Sequence, residues 1–369
     1  MRRADGPARG RLHVVALGLA VATLGAGCST FDDPSTVKDL RILAVRAEPP
    51  EVILKATAIS DPPATFALPP IALTPLVADP RGGGRPITVT VDACPNNPFA
   101  PTSPNNPNDP TGYPAGGART TVGSALCDAT PARIRLATDV DLATQPSIDA
   151  VLDPALVQAA FAHDLFPGPN GITYGGFELG MPIVFQLTVR AGDETALAIK
   201  RAIVWGHAVR DDQTPNTTPA IPSVTAYDRR DEATAEPLPG AVVPLDEGAP
   251  LPVPDHGVWI DPGPALAEPY VTAVIDRATG AVVPFDVARE KLSYTFYATA
   301  GTFSPLETSS EPPAGVTTTS RVHIESKYEP PPKAQRPADV TIWIVVRDER
   351  GGASWISRSL SVPAAGSGP

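Results

Sequence analysis

The residues best suited to catalysis are sparse in this chain and lie far apart along it. The five histidines stand at His13, His163, His207, His256 and His323. The sequence contains no G-x-S-x-G serine elbow, no H-E-x-x-H zinc motif, no phosphate-binding loop and no dinucleotide-binding fingerprint. The sequence therefore predicts a protein that is not an enzyme and that needs no cofactor.

Paired acidic residues are the next candidates, because carboxylate oxygens are hard ligands that suit calcium. Three pairs stand in or beside predicted turns: Asp139 with Asp141, Asp211 with Asp212, and Asp348 with Glu349. None of them completes a calcium-binding loop, and turns favour Asp for backbone reasons alone. We expect no metal site, with calcium in these loops as the alternative.

Cys28 follows a segment with the features of a signal peptide. Four arginines open the chain, and the apolar stretch from Leu12 to Ala26 is too short for a comfortable transmembrane span. The small residues 25–27 before the cysteine resemble the lipobox of bacterial lipoproteins. That resemblance implies cleavage after residue 27 and acylation of the Cys28 thiol, with ordinary secretory cleavage as the alternative. Ser29, rather than Asp, follows the cysteine, and in bacterial lipoproteins this goes with sorting to the outer membrane.

Cys94 and Cys127 enclose residues 95–126, which are rich in Asn, Pro, Gly and Thr and lack an apolar period. Such a composition cannot form a core, so we expect a disordered loop. With Cys28 assigned to lipid, the two cysteines make an even pair, and no histidine or further cysteine pair lies at zinc-ligand spacing. We therefore expect a disulfide between them in an oxidising envelope compartment, with a pair of metal ligands as the alternative.

The charge of the chain argues against nucleic acid as a partner. Removal of residues 1–27, which carry four Arg and one Asp, changes the formal net charge from −11 to −14. Such a surface repels phosphate backbones. The 46 Pro and 30 Gly punctuate the whole chain, which favours many short strands joined by turns over long helices.

An internal repeat supplies the strongest evidence on the fold. A single offset of 157 residues aligns residues 182–205 with residues 339–362 without a gap. It places Ile183, Phe185, Leu187 and Val189 on Val340, Ile342, Ile344 and Val346. Beyond a turn it places Ile199, Arg201 and Ile203 on Ile356, Arg358 and Leu360. Alternation with a period of two predicts half-buried strands, so each copy reads as a terminal β-hairpin of its own domain.

Trp343 and Trp355 form a pair on the second of these hairpins. Both fall opposite the residues of the predicted core face, so we expect them side by side on the outer face. An exposed aromatic strip of this kind is a possible ligand platform for a sugar or a protein partner. The alternative is that a neighbouring domain, loop or strand covers both rings.

The second copy resembles the PKD and immunoglobulin-like modules of bacterial surface proteins. The resemblance rests on "YTFYATAGTFS" and on "VTIWIVVRDERGGASWISRSLSV", in which the turn "RDERGG" joins the last two strands. The whole chain resembles bacterial lipoproteins with tandem domains of this kind. We therefore expect a mainly β protein with two antiparallel immunoglobulin-like β-sandwiches in tandem and one short helix inserted in the first.

The expected order begins with a signal peptide over residues 1–27 and a tether over 28–37. A first domain then covers 38–210, a linker 211–223, a second domain 224–363 and a flexible tail 364–369. The inserted helix is predicted within "DPALVQAAFAHDL", where Asp153 caps, Pro154 begins the helix, and one face carries Leu156, Ala160, Phe161 and Leu165.

Two functional hypotheses follow from these features. The first is a lipid-anchored envelope protein that acts as a non-enzymatic binding, adhesion or structural module, with an envelope protein or glycan as its partner. The second is a hydrolase, or the accessory subunit of an envelope enzyme complex, whose site forms between the two domains.

Overall fold

Short β-strands make up most of the regular structure in this computed structural model. The structure describes residues 33–94, 133–163, 165–167, 173–231, 236–238, 242–276, 279, 281–311 and 323–363. Within these ranges no helix combines the length and the apolar composition needed to cross a membrane.

The first sandwich consists of a three-stranded and a five-stranded sheet. The smaller sheet has the order β1–β3–β6, with β1 at Arg41–Glu48, β3 at Ile71–Ala78 and β6 at Ile148–Ala150. The larger has the order β2–β10–β9–β4–β5, with β2 at Glu51–Ile53, β10 at Glu194–Trp205, β9 at Met181–Ala191, β4 at Ile87–Cys94 and β5 at Ile134–Asp141. The pairing is antiparallel except between β2 and β10.

The second sandwich consists of two five-stranded sheets. One has the order β12–β11–β14–β20–β18, formed by Val243–Pro244, Thr225–Tyr227, Val258–Asp261, Ser326–Glu329 and Thr302–Ser304. The other has the order β13–β22–β21–β17–β19, formed by Leu251–Pro252, Ala353–Ser361, Asp339–Asp348, Leu292–Ala298 and Glu307–Ser309. A separate hairpin of β15 (Pro269–Ile275) and β16 (Val282–Arg289) lies between β14 and β17 in sequence.

One sheet of each sandwich has the same strand arrangement, namely β2–β10–β9–β4–β5 in the first and β13–β22–β21–β17–β19 in the second. In both of these sheets the last hairpin of the domain lies inside the sheet, and a short earlier strand pairs in parallel with its final strand. The chain is therefore mainly β, with two immunoglobulin-like sandwiches in tandem, as the sequence predicts. Each sandwich encloses its own apolar core, one drawn from residues 40–204 and the other from residues 224–362.

The offset of 157 residues relates structurally equivalent positions up to the hairpin turn. Beyond the turn, the equivalent positions are displaced by one further residue. Ile183 and Val340 are both core residues, in agreement with the offset of 157. Ile183 pairs with Ala202, however, whereas Val340 pairs with Leu360. The structural counterpart of Leu360 is thus Ala202, and the alignment of Ile199, Arg201 and Ile203 with Ile356, Arg358 and Leu360 is wrong.

Turn length explains this displacement. Ala191 pairs with Glu194 around a two-residue turn, whereas the Asp348 N–H donates to the Gly352 carbonyl at 3.2 Å around a three-residue turn, 349–351. Because side chains alternate between faces, one extra residue reverses the face of the whole following strand. Gly351 in the longer turn adopts a φ of 101°, which a side chain would disfavour.

The inserted helix, α1, runs from Pro154 to His163. The Ala155 N–H donates to Asp153 Oδ1 at 2.7 Å, so Asp153 acts at the helix start as predicted. Ala160 and Phe161 are buried in the first core. Leu165 is not on the helix, contrary to expectation.

Leu165 instead begins β7 (Leu165–Pro167), which pairs with β8 (Thr173–Gly175). A helix cannot continue through position 167, because proline has no backbone N–H to donate to the carbonyl four residues earlier. A second short helix, α2, covers Gly176–Leu179. Its Phe177 is buried in the first core and lies 5.6 Å from Phe161 between ring centroids.

Candidate functional site

An apolar contact joins the two sandwiches along β1. Val37, Leu43 and Ala78 are buried and pack with Trp343 and Tyr297 of the second sandwich. The β1 ladder shifts register between Ile42 and Ala44, which marks a bulge at Leu43. A bulge frees its residue from regular pairing, and the Leu43 carbonyl accepts a hydrogen bond of 2.6 Å from Arg347 Nη2.

Trp343 and Trp355 lie at this same junction. Val345 pairs with Trp355 across the hairpin, and Trp343 lies two residues before Val345 on the same face of β21. The two tryptophan rings therefore occupy diagonal positions on one face of the sheet. Trp343 packs against the first sandwich, and the Arg46 guanidinium lies 5.3 Å from the centroid of the Trp355 ring. The first sandwich thus covers part of this face. Stacking of a ligand on these rings stays a prediction.

The guanidinium of Arg350 bonds carboxylates of both sandwiches. Its Nη2 donates to Glu51 of the first sandwich, and its Nη1 donates to Glu290 of the second at 3.1 Å. The guanidinium also lies 5.0 Å from the ring centroid of Tyr270, whose hydroxyl donates to Glu349 at 2.7 Å. Only 11% of the Arg350 side chain, 4% of Glu51 and 1% of Glu290 are exposed. Water therefore screens this ion-pair network very little.

The predicted linker is bonded to both sandwiches. The Asn216 N–H donates to Glu51 Oε2 at 2.6 Å, and its Nδ2 donates to Asp348 Oδ2 at 3.1 Å. Asn216 is only 2% exposed. The Thr218 hydroxyl donates to Glu48 Oε2 at 2.5 Å. Residues 216–218 therefore form part of the junction.

Burial changes the proton affinity of three side chains at the junction. It raises the pKa of Asp348, against the opposing effect of hydrogen bonds from Asn216 and two backbone N–H groups. It also raises the pKa of Glu290. Burial lowers the pKa of Lys200 to about 8, although the nearby Asp348 opposes this shift. The Lys200 ammonium donates to the Gly351 carbonyl across the junction.

A cavity of about 250 Å³ lies between β1, β10 and the turn that joins β21 to β22. Its wall includes Ile42, Val45, Ile199, Lys200, Arg347 and Asp348. Apolar side chains thus surround an ammonium, a guanidinium and a carboxylate. All three charged groups also bond protein atoms: Lys200 donates to Gly351, Arg347 donates to Leu43, and Asp348 accepts from Asn216.

The acidic pairs serve turns and ion pairs in the structure. Asp141 Oδ1 accepts the Ala143 N–H at 2.9 Å, and Asp212 pairs with Arg210. Asp139 lies 3.5 Å from Arg190. Across the described ranges, no group of three or more His, Cys, Asp or Glu residues is placed to hold a metal ion.

His207 and His323 lie in different sandwiches. The His207 ring packs at a tilt against Phe177 in the first sandwich, with 5.3 Å between the ring centroids. His323 Nδ1 lies 2.7 Å from Glu325 Oε1 in the second sandwich. Neither ring belongs to the junction site.

The cysteine predictions concern residues that are mostly outside the described ranges. Cys94 ends β4, where it is buried against Val184 and Ile199. Cys127 and Cys28 both lie outside the described residues. The disulfide and the lipid attachment therefore stay predictions.

Four residues of the junction are not recognisable from the sequence: Glu51, Lys200, Asn216 and Arg350. They come from a strand start, a strand centre, a Pro-rich linker and a turn, and they share no motif. The one available signal was the acidic and basic turn "RDERGG", which holds both Asp348 and Arg350. The sequence indicates a hairpin turn there, with calcium at Asp348 and Glu349 as the alternative, and gives no sign of a contact between the domains.

Comparison with known proteins adds little to this description. The chain matches no protein-family model and no curated protein. Among solved structures, alpha-2-macroglobulin of Escherichia coli activated by porcine elastase is similar at 12% identity with a TM-score of 0.22. The match covers 91% of this chain and 23% of that chain, so this chain spans less than a quarter of the other. A TM-score of this size supports no inference about fold or function.

Proposed function

We propose that the protein is an envelope lipoprotein, held by lipid on Cys28 and sorted to the outer membrane, that acts as a non-enzymatic binding, adhesion or structural module. Its partner on this proposal is an envelope protein or a glycan. The lipid part of this proposal rests on the sequence around Cys28. The observation that carries the module part is the junction, where buried polar groups fix one sandwich against the other. A module that displays a binding surface, or spaces other components, needs such fixed geometry.

The energetics of the junction support a rigid module. Separation of the sandwiches would break the contact of Arg350 with Glu51. It would also part the linker residue Asn216 from either Glu51 or Asp348. Loss of one partner leaves the others incompletely bonded at a partly buried site, which is costly. The apolar contact of Leu43 with Trp343 adds to this resistance.

The lipid anchor is tested first with the full chain expressed in a bacterial host. We expect wild-type protein in the membrane fraction, with an intact mass equal to residues 28–369 plus acyl groups. Cys28→Ala removes the acylated thiol and should yield no acyl mass, whereas the neighbouring variant Ser29→Ala should keep it. Unmodified, soluble wild-type protein that begins at residue 28 would contradict the proposal.

A second candidate function is hydrolysis, or a role in an enzyme complex, at a site between the sandwiches. The observation that favours it is the cavity that contains Lys200 and Asp348, because a lysine with a pKa near 8 can exchange a proton close to neutral pH. Chromogenic ester, glycoside and peptide substrates test this candidate. Hydrolysis that Lys200→Met abolishes would support it, and equal rates for the two proteins would exclude Lys200 as the source.

A further inference from the structure

The first described residues of the chain are bonded to the second sandwich before the chain enters the first. The Ala298 N–H donates to the Ser35 carbonyl at 2.9 Å, and the Val37 N–H donates to the Ala298 carbonyl at 2.8 Å. Thr36 and Ala298 thereby form a parallel β-bridge at the end of β17. We name residues 35–37 the N-terminal clip.

Side chains hold the clip in place as well as the backbone. The Phe303 N–H donates to Ser35 Oγ at 2.9 Å, and the Thr36 hydroxyl donates to the Gly301 carbonyl at 2.5 Å. Ser35 is 0% and Val37 1% exposed. The last three residues of the predicted tether 28–37 are therefore folded against the second sandwich.

The clip shortens the chain available between a lipid and the folded protein. Cys28 precedes Ser35 by seven residues, so a fully extended chain spans about 25 Å at most. Without the clip, the free chain would run to Arg41 at the start of β1 and would span about 47 Å. The clip therefore roughly halves the reach.

From this geometry we infer that the protein has a membrane-facing end, the clip end, formed by residues 35–37, the loop 299–301 and the loop 330–338. The two loops are adjacent, since Thr302, which follows the first loop, pairs with Glu329, which precedes the second. The inference rests on the proposed lipid at Cys28. The surface that the clip end meets is that of the membrane holding the lipid.

The turn 349–351 lies at the opposite end of the same sheet. It follows the ten residues of β21, which cover about 30 Å at the usual rise per residue. The turn and the Arg350 network are therefore held away from the membrane.

Energy transfer to the membrane tests this orientation. The full acylated chain, purified from a bacterial host, is placed in liposomes that contain an acceptor-labelled lipid. A donor dye is attached through p-azidophenylalanine at one of two positions, Ala334 in the clip-end loop or Asp211. Asp211 reports on the opposite end because it lies three residues before Thr214, whose carbonyl oxygen is 3.4 Å from Arg350 Nη2. We expect transfer from position 334 to exceed that from position 211 by about twofold or more.

Two variants and one mass measurement separate the possible outcomes. Val37→Pro removes the N–H that donates to the Ala298 carbonyl. This variant should reduce the difference in energy-transfer efficiency between positions 334 and 211. A Gly/Ser insertion of about twelve residues after Ser29 leaves the clip intact and should lower transfer from both positions. Absence of acyl mass on Cys28 overturns the proposed function and the inference together. Acylated protein with equal transfer from both positions overturns the inference alone.

Discussion

At the scale of single residues, two arginine ion pairs of this protein differ in their exposure to solvent. The Arg350 side chain is 11% exposed and bonds two carboxylates that are nearly buried. The Arg210 side chain is 38% exposed and pairs with Asp212, which is 66% exposed. Solvent screens the second pair far more than the first, so the same chemical contact has different consequences for stability.

Arg350→Met should therefore destabilise the protein strongly. The variant keeps much of the side-chain volume but leaves Glu51 and Glu290 without their cation, for which we expect a loss of about 3 to 5 kcal/mol in the free energy of unfolding. Urea denaturation monitored by tryptophan fluorescence measures the loss. Arg210→Met is the control and should leave the midpoint unchanged. Equal midpoints for the two variants would show that the junction pair contributes no more than a surface pair.

Lys200 gives a second prediction, on the pH dependence of stability. Its folded-state pKa of about 8 lies below the ordinary value of 10.5, so between these values the unfolded chain binds more protons than the folded chain. Stability from this group therefore rises as pH increases from 8 to 10.5, and the burial cost is fully present below pH 8. Wild type should gain stability relative to Lys200→Met over that range.

Chemical denaturation at several pH values measures the difference between the two proteins. Lys333→Met, at an exposed position, controls for the loss of one positive charge. A constant difference between wild type and Lys200→Met from pH 7 to pH 10 would contradict the assignment of Lys200 to a desolvated site.

At the scale of elements, close backbone approach decides where glycine is required. Gly257 and Gly248 both have left-handed φ values, 82° and 84°. A Cβ on Gly257 would lie 2.1 Å from the Tyr328 carbonyl oxygen, whereas a Cβ on Gly248 would meet nothing within 4 Å. An alanine at either position would therefore adopt the same strained backbone conformation. Only the alanine at position 257 would also clash with a neighbouring carbonyl.

Gly257→Ala should consequently be the more harmful of the two alanine variants. We expect it to lose about 1 to 3 kcal/mol more than Gly248→Ala, because β14 must move away from β20 to admit the methyl group. Thermal unfolding followed by circular dichroism compares them. Equal losses would mean that backbone strain alone sets the effect.

The strands were predictable from sequence because their signal is local. In β9 and β21 every second residue is apolar and buried, from Ile183 to Val189 and from Val340 to Val346. The same alternation is visible in the sequence. The register beyond the turn was not predictable in the same way. That register depends on one extra residue in the second turn. The apolar patterns of β10 and β22 match without a gap, so the sequence gives no sign of this extra residue.

The junction site was not predictable, because its contacts join residues distant in sequence. Asn216 bonds Glu51 across 165 positions, and Arg350 bonds Glu51 across 299. Buried charges are rare and follow no period, so Glu51 at a strand start looks like any exposed acid. Trp343 and Trp355 were recognisable as an outward-facing pair, but the partner surface on β1 was not.

At the scale of the whole molecule, the junction determines whether the sandwiches behave as one unit. Leu43 belongs to neither of the two main cores, and it is buried against Trp343 across the junction. The polar network and the linker contacts join the same surfaces. Two domains connected in this way should unfold together, since unfolding of either exposes the contact surface of the other.

Calorimetry tests this coupling. Wild type should show one transition whose calorimetric and van't Hoff enthalpies agree. Leu43→Asp places a carboxylate in the apolar contact and leaves both cores intact, so it should split unfolding into two transitions. Leu266→Asp, at a side chain that is 77% exposed, should keep the single transition. Two transitions in the wild type would refute the coupling, because each sandwich would then melt without regard to the junction.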